Sequence, residues 1–189
     1  MSTIKDFFQK ELVTELQEKL QLKNKLAIPR FVKVVVNVGI GGAKVNPKLK
    51  EAVQENLAAI TSLKPKITRA SKAISGFKIR QGDEVGMVVT LRGERMYDFI
   101  YKLAHIVLPR MRDFRGLAAK GFDRNGNFNL GLTEQIVFPE ISPDKSETLH
   151  GLSVSITTTA KGPHEGKALL EAVGFPFKKG DLKGIIERK

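Results

Sequence analysis

His105, His150 and His164 are the only side chains in this 189-residue chain that titrate near neutrality. Their positions share no metal-ligand spacing, and with no cysteine in the chain there is no thiolate to complete a zinc or redox site. Gly39-Ile40-Gly41 resembles the start of a dinucleotide fingerprint, but Lys44 stands where the third glycine belongs, and no Walker A lysine-serine pair occurs. A simple turn, or close approach of a backbone to RNA, reads better there. Nucleophile elbow, HExxH and carboxylate-rich metal loop are missing as well. No cofactor, metal or small-molecule substrate is expected. An RNA-modifying or RNA-cleaving enzyme using His105 or His164 as acid and base is the runner-up reading.

The chemistry the residues do support is cationic. Residues 19–82 hold 14 lysines and arginines against two acids, Glu51 and Glu55, a net +12 that equals the charge of the whole chain. Residues 1–18 carry −2 and residues 83–189 carry +2. Solubility does not require 64 residues to exclude carboxylates. A polyanionic partner does favour it, because each carboxylate near a phosphate repels it. A solvated lysine-rich surface is the blander alternative. A pI near 9.9 and the segregation together favour nucleic acid, with an architectural nucleic-acid binder as one form of it.

These cations need a scaffold. Hydrophobic residues at 41%, including 11 Phe, suffice for a core. No run nears the roughly 20 apolar residues of a membrane span, and MSTIKDFFQKEL lacks a signal peptide's apolar stretch. Without disulfides, the cytoplasm is the expected compartment. Ile4, Phe8, Leu12, Leu16 and Leu20 predict a helix over 3–20, with Ser2 or Thr3 as its cap. RFVKVVVNVG alternates, with Val32, Val34, Val36 and Val38 on one side and Phe31, Lys33, Val35 and Asn37 on the other. Asn46-Pro47 reads as the start of a helix through about residue 63, with Leu49, Val53, Leu57 and Ile60 as its stripe. A short strand is expected at 65–70, further strands at 85–92 and 151–158, a helix at 94–107 and a last helix from Pro163 to Gly174. The fold class is α+β, a mainly antiparallel twisted sheet with helices on one face and the other face open. Residues 1–179 read as one domain and 180–189 as a tail.

The second strand face carries Lys33, Asn37, Thr90, Arg92, Ser153, Ser155 and Thr157, with no acid. Such donors suit phosphate and ribose oxygens, although polar residues also line the wet face of any antiparallel sheet. Only Phe31 could stack a base there, so structured RNA read by backbone and shape is expected rather than unpaired bases. Residues 56–82 hold Lys64, Lys66, Arg69, Lys72, Lys78 and Arg80 and no acid, and Ser71, Ser75 and Gly76 suggest a flexible basic loop. Residues 108–131 show little periodicity, with Arg110, Arg112, Arg115, Lys120 and Arg124 interleaved with Phe114, Phe122 and Phe128. They read as a projecting loop for a partner, or as phenylalanines pinning a loop to the core.

IPRFVKVVVNVGIG, TSLKPKITRASKAISGFKIRQG, VTLRGERMYDFIYKL, LPRMRDFRGL, FDRNGNFNLGLTEQIVFPEI and GFPFKK occur in that order. Over about residues 28–179 the chain resembles the universal large-subunit ribosomal protein family that binds 5S rRNA, in its bacterial form. The resemblance implies a non-catalytic ribosomal component with 5S rRNA, 23S-type rRNA, peptidyl-site tRNA and a small-subunit head protein as partners, and no membrane. It implies 5S rRNA contact through the sheet and the early loop, at Arg30, Lys33, Asn37, Gly39, Gly41, Gly42, Lys44, Lys64, Thr90 and Arg92. The basic loop about 71–82 would touch peptidyl-site tRNA through Ser71, Lys72, Ser75, Lys78, Arg80 and Gln81. The loop about 108–128 would reach the small-subunit head through Arg110, Arg112, Asp113, Phe114 and Arg115. Three features depart from the family: Ser62-Leu63 replaces a frequent Gly-Gln, the bend GGAKVNPK is unusually basic, and the tail runs past the usual end.

Overall fold

A computed structural model describes residues 4–22, 24–41, 47–112, 114–141 and 149–178. Five strands, β1 (Phe31–Gly39), β2 (Lys66–Arg69), β3 (Glu84–Leu91), β4 (Phe128–Leu132) and β5 (Leu152–Thr158), form one sheet in the order β2-β3-β1-β5-β4. β2 and β3 pair antiparallel, with Lys66 against Val88 and Arg69 against Glu84. β1 and β5 also run antiparallel, since Arg30 exchanges bonds with Thr159 while the Ser153 hydroxyl meets the Asn37 carbonyl. The helices are α1 (Ile4–Leu20), α2 (Pro47–Thr61), α3 (Glu94–Lys102), α4 (Leu108–Arg110) and α5 (Pro163–Ala172). The α+β class expected from the pattern is the one observed.

Alternation explains the sheet's two sides. Val34, Val36, Val38, Met87, Val89, Leu91, Leu152, Val154 and Ile156 are all buried. Lys33, Val35, Asn37, Val88, Thr90, Ser153, Ser155 and Thr157 are exposed or half-buried. The start of β1 departs from the expected phase: Phe31 is 6% exposed and Val32 38%. Phe31 turns inward because its ring meets Tyr97 edge-on, 6.3 Å between centroids. It is therefore not available to stack a base. β4 is the element the sequence hid, within a segment expected to be loop. Phe128 and Leu132 supply only two buried positions, too short a run to show period two.

Contacts group the chain into two compact units. One comprises Met1–Val34, Leu91–Leu130 and Ser155–Lys189; the other comprises Val35–Thr90 and Gly131–Val154. Each draws on separated stretches, and the boundaries fall within strands rather than linkers.

In the first unit, α1 packs on α3 and α5 through Leu12 and Leu16. Met96, Phe99, Ile100, Leu103 and Val107 form the buried stripe expected of α3. The helix does not stop at 107: a π turn, Leu103–Val107, leads into α4. Pro109 lacks an N–H and its ring crowds the preceding turn, and widening that turn accommodates it without ending the helix. α5 starts on Pro163 and closes at Gly174, φ +99, as expected. Before it, the Lys161 N–H donates to Glu165 at 2.8 Å, satisfying a donor ahead of the first turn.

In the second unit, Val53, Leu57 and Ile60 bury one side of α2. The helix ends at Thr61, whose hydroxyl donates to the Leu57 carbonyl at 2.6 Å. Ser62 follows in the left-handed region at φ +53, a conformation that costs a non-glycine residue about 1 kcal/mol. The expected caps at Ser2 or Thr3 and at Asn46, and the tail 180–189, lie outside the described residues.

α5 lies close to the turn at Gly126. A β-carbon on Gly166 would collide with the Gly126 carbonyl oxygen, and one on Gly126 would come within 2.5 Å of the Gly162 oxygen. Both obstacles are backbone and cannot swing aside. Gly166→Ala is expected to destabilise the protein by about 1–3 kcal/mol despite alanine's better helix propensity. Urea unfolding measures it; an unchanged midpoint refutes the close approach.

Candidate nucleic-acid interface

The residues expected to meet RNA fall in both units. In the unit Val35–Thr90 and Gly131–Val154, Asn37 and Thr90 are exposed side chains on β1 and β3. Gly86 lies beside Asn37. A β-carbon there would come within 3.0 Å of Thr68 Oγ1 and of the Val38 oxygen, and 3.7 Å of Asn37 Oδ1. Its missing side chain thus lets Thr68 and the Val38 carbonyl approach β3 closely, with Asn37 at ordinary contact distance. Sequence reasoning passed over Gly86, although glycine inside a strand pattern signals close approach.

One acid shares the phase of that face. β3 begins at Glu84, one residue before the expected start, so the face is not free of carboxylates. Glu84 is held by Lys50 at 2.5 Å and, more loosely, by Arg69 at 3.9 Å. Two cations on one carboxylate leave this corner positive. The hydroxyls are partly spent internally: Ser153 donates to the Asn37 carbonyl at 3.3 Å. The amide and hydroxyl that remain outward are those of Asn37 and Thr90.

Gly39 and Gly41 have open space where a side chain would stand, and neither has the positive φ that would demand glycine. Lys64 is exposed beyond the left-handed Ser62, beside a shallow depression lined by Gln54, Glu55, Ala58, Leu63 and Pro65. Gly42 and Lys44 lie outside the described residues.

Residues 71–82 are not the flexible loop that their serines and glycine suggested. Ile74 and Ile79 bridge antiparallel with N–H to carbonyl distances of 2.9 and 3.2 Å, and Lys78 in the left-handed region closes the turn. The base is tied where the Ala70 N–H donates to the Asp83 carbonyl at 2.8 Å and the Ala70 carbonyl accepts from the Gly82 N–H at 2.9 Å. Asp83 accepts from the Arg80 N–H, which occupies that carboxylate at the loop's foot. Ser71, Lys72, Ser75, Arg80 and Gln81 are all exposed on this small hairpin. At its tip stands Phe77, 75% exposed, with Lys78 beside it. The aromatic platform missing from the sheet is present on the hairpin. A phenylalanine between Ser-Gly and Lys in an acid-free run was the available signal.

In the other unit, Arg30 and Arg92 are exposed and Lys33 is half-buried. Arg30 is fixed by its backbone: its N–H donates to Thr159 Oγ1 at 3.0 Å, and its carbonyl accepts from the Thr159 N–H at 2.9 Å. Burial raises the Tyr97 phenol above its usual pKa, against an opposing pull from Arg30. Among the described residues, Lys33, Lys64, Lys72 and Arg92 have no carboxylate partner.

The expected projecting loop at 108–128 is much shorter. Residues 108–110 are helical, and Leu117 pairs with the segment at Phe177, donating to the Pro176 carbonyl at 2.8 Å and accepting from Lys178 at 3.0 Å. Phe122, Phe128 and Phe177 cluster with centroids 4.7–5.7 Å apart, and the Lys167 ammonium sits over the Phe177 ring. Phe122 and Phe128 therefore pin the chain, the blander of the two expectations. Arg110, Arg112 and Arg115 remain exposed and Phe114 half-buried around a stretch near 111–116; Asp113 lies outside the described residues.

His105 stacks on Tyr101 at 4.4 Å and abuts Gly174, and His164 is exposed on α5. No cluster of metal-binding side chains occurs among the described residues. His105 and His164 have no carboxylate partner among the described residues.

The family model described as "Ribosomal protein L5" matches residues 24–80, and the model of that family's C-terminus matches residues 84–177. The chain belongs to the ribosomal protein L5 family. "Large ribosomal subunit protein uL5" of Francisella tularensis subsp. novicida is 50% identical over 178 residues, 94% of this chain and 99% of that protein. The protein of the same name in Francisella philomiragia is 49% identical over the same coverage. Family members are structural, non-enzymatic ribosomal components, which sets aside the histidine acid-base reading. Ribosomal RNA is the partner class and the cytoplasmic ribosome the location.

The turn preceding β4 follows from its own side chains. Asp123 accepts from the backbone N–H groups of Asn125 and Asn127 at 2.9 and 2.8 Å, and from Asn127 Nδ2 at 2.7 Å. Asn127 in turn accepts from the Thr158 N–H at 3.0 Å. Asp123→Ala should cost about 1–3 kcal/mol in thermal unfolding, while Arg124→Ala, on an exposed side chain, changes stability by less than about 0.5. Equal melting temperatures for the two would overturn the structural role.

Proposed function

We propose that this protein is a large-subunit component that binds 5S rRNA through the open strand face and the glycine bend after β1. The observations that carry it are, in one unit, the exposed Asn37 and Thr90 with Gly39 and Gly41 and, in the other, the outward cations Arg30, Lys33 and Arg92. These glycines are required neither by backbone conformation nor by packing, so close approach of a partner's backbone is the use left for them. Amide, hydroxyl and unpaired cations suit ribose and phosphate, and the face offers no aromatic ring, so recognition is by backbone and shape. Lys64, Gly42 and Lys44 extend the same assignment, and contacts to 23S-type rRNA would follow from neighbouring cations.

The hairpin 71–82 is assigned to peptidyl-site tRNA. Lys72, Lys78 and Arg80 would meet phosphates, and Phe77 supplies a flat apolar face for a nucleobase. Arg110, Arg112, Asp113, Phe114 and Arg115, in the short stretch near 111–116, are assigned to a protein of the small-subunit head.

Asn37→Ala and Arg92→Ala are each expected to weaken 5S rRNA binding about tenfold in filter binding with the melting temperature unchanged. With roughly six phosphates neutralised, log K should fall against log salt with a slope of about −5. Native affinity in both variants, or a flat salt response, sinks the assignment.

Replacing Lys72, Lys78 and Arg80 together by alanine, or Phe77 alone, should leave 5S affinity intact and lower peptidyl-site tRNA occupancy on reconstituted ribosomes. Loss of 5S binding instead would make hairpin and sheet one surface.

A further inference from the structure

Leu26 is 91% exposed, the most exposed large apolar side chain among the described residues. A single exposed leucine needs no explanation of its own. Two observations set this one apart. Its backbone is hydrogen-bonded: it sits in a one-turn 3₁₀ helix, Lys25–Ala27, where Asn24 Oδ1 accepts from the Leu26 N–H at 2.9 Å and the Asn24 carbonyl from the Ala27 N–H at 3.1 Å. The following residues fix the turn, since Ile28 is 7% exposed and Arg30 is bonded at both backbone groups to Thr159. The turn also lies inside the longest acid-free stretch of the first half, residues 19–50, which carry eight lysines and arginines and no carboxylate.

We infer that Leu26 is an apolar wedge that contacts an unstacked nucleobase or ribose face of ribosomal RNA. Its neighbours decide the class of partner. Lys25 and Arg30 flank it on exposed backbone, and Lys33 follows on β1. An apolar protein groove gains nothing from these cations near it in the chain, whereas RNA satisfies both features at once: phosphates for the ammonium and guanidinium groups, and a base or sugar face for the isobutyl group. Pre-ordering by the Asn24 cap removes the ordering cost that a leucine on a floppy loop would bear on binding. This inference rests on the 5S rRNA reading and adds a contact of a different physical kind, insensitive to salt.

That difference supplies the test. The full chain carrying Leu26→Ser is titrated with isolated 5S rRNA and, separately, with large-subunit rRNA, each over a range of salt, beside the unsubstituted chain and Leu26→Met. Burying a leucine's surface corresponds to an affinity loss of about tenfold for Leu26→Ser on whichever RNA receives the wedge. The salt slope should stay that of the unsubstituted protein, because no counterion release is lost. Leu26→Met should bind nearly as the parent does, and the melting temperature should not move in either variant. If the unsubstituted chain binds 5S rRNA and Leu26→Ser matches it on both RNAs, the wedge is wrong while the 5S reading stands. If the unsubstituted chain binds neither RNA, both fall. A loss shared equally by Leu26→Met, or accompanied by a lower melting temperature, also overturns it.

Discussion

One-sided burial of an antiparallel sheet is the constraint on which the rest of this protein depends. Val34, Val36, Val38, Met87, Val89, Leu91, Val154 and Ile156 face inward, and period two then forces the residues between them outward. Registry of the sheet and composition of its outward side are one decision, because a slip by one residue would exchange valines for Lys33, Asn37 and Thr90. The buried core and the polar, cationic side are thereby carried by opposite sides of the same strands.

Charge is then managed locally. Lys33, Lys64, Lys72 and Arg92 have no carboxylate partner among the described residues, and two nearby acids are engaged by other groups. Glu84 is shared between Lys50 and Arg69, and Asp83 is occupied by the Arg80 backbone N–H. Exposed pairs of this kind contribute little to stability. Their effect is on the local field, which two cations about Glu84 keep positive. The aromatic residues follow a similar division. Phe31, Phe122 and Phe128 serve the protein's interior, and Phe77 alone among these is turned out to water on a hydrogen-bonded hairpin.

The sequence was an accurate guide wherever periodicity was long. α3 was legible from Met96, Phe99, Ile100, Leu103 and Val107, and β5 from Leu152, Val154 and Ile156, because each repeats a buried position at least three times. It failed where the deciding contact lay far along the chain. Phe31 broke the alternation of β1 to meet Tyr97, and β4 has too few buried positions to be seen before it pairs beside β5. The apparent projecting loop was shortened where Leu117 bonds to Pro176 and Lys178, the two neighbours of Phe177, far along the chain.

What the amino-acid order determined by itself was the class of partner and the family. Net charge in residues 19–82 and the run of distinctive segments do not depend on how the chain folds. Only the folded molecule decided which cations and rings are left free. Exposure is set by non-local packing: the same residue type is buried at Phe128 and open at Phe77, and the same aliphatic side chain is core at Leu16 and solvent at Leu26. Local patterns carry the period of an element, whereas the identity of its neighbours exists only once distant segments have met.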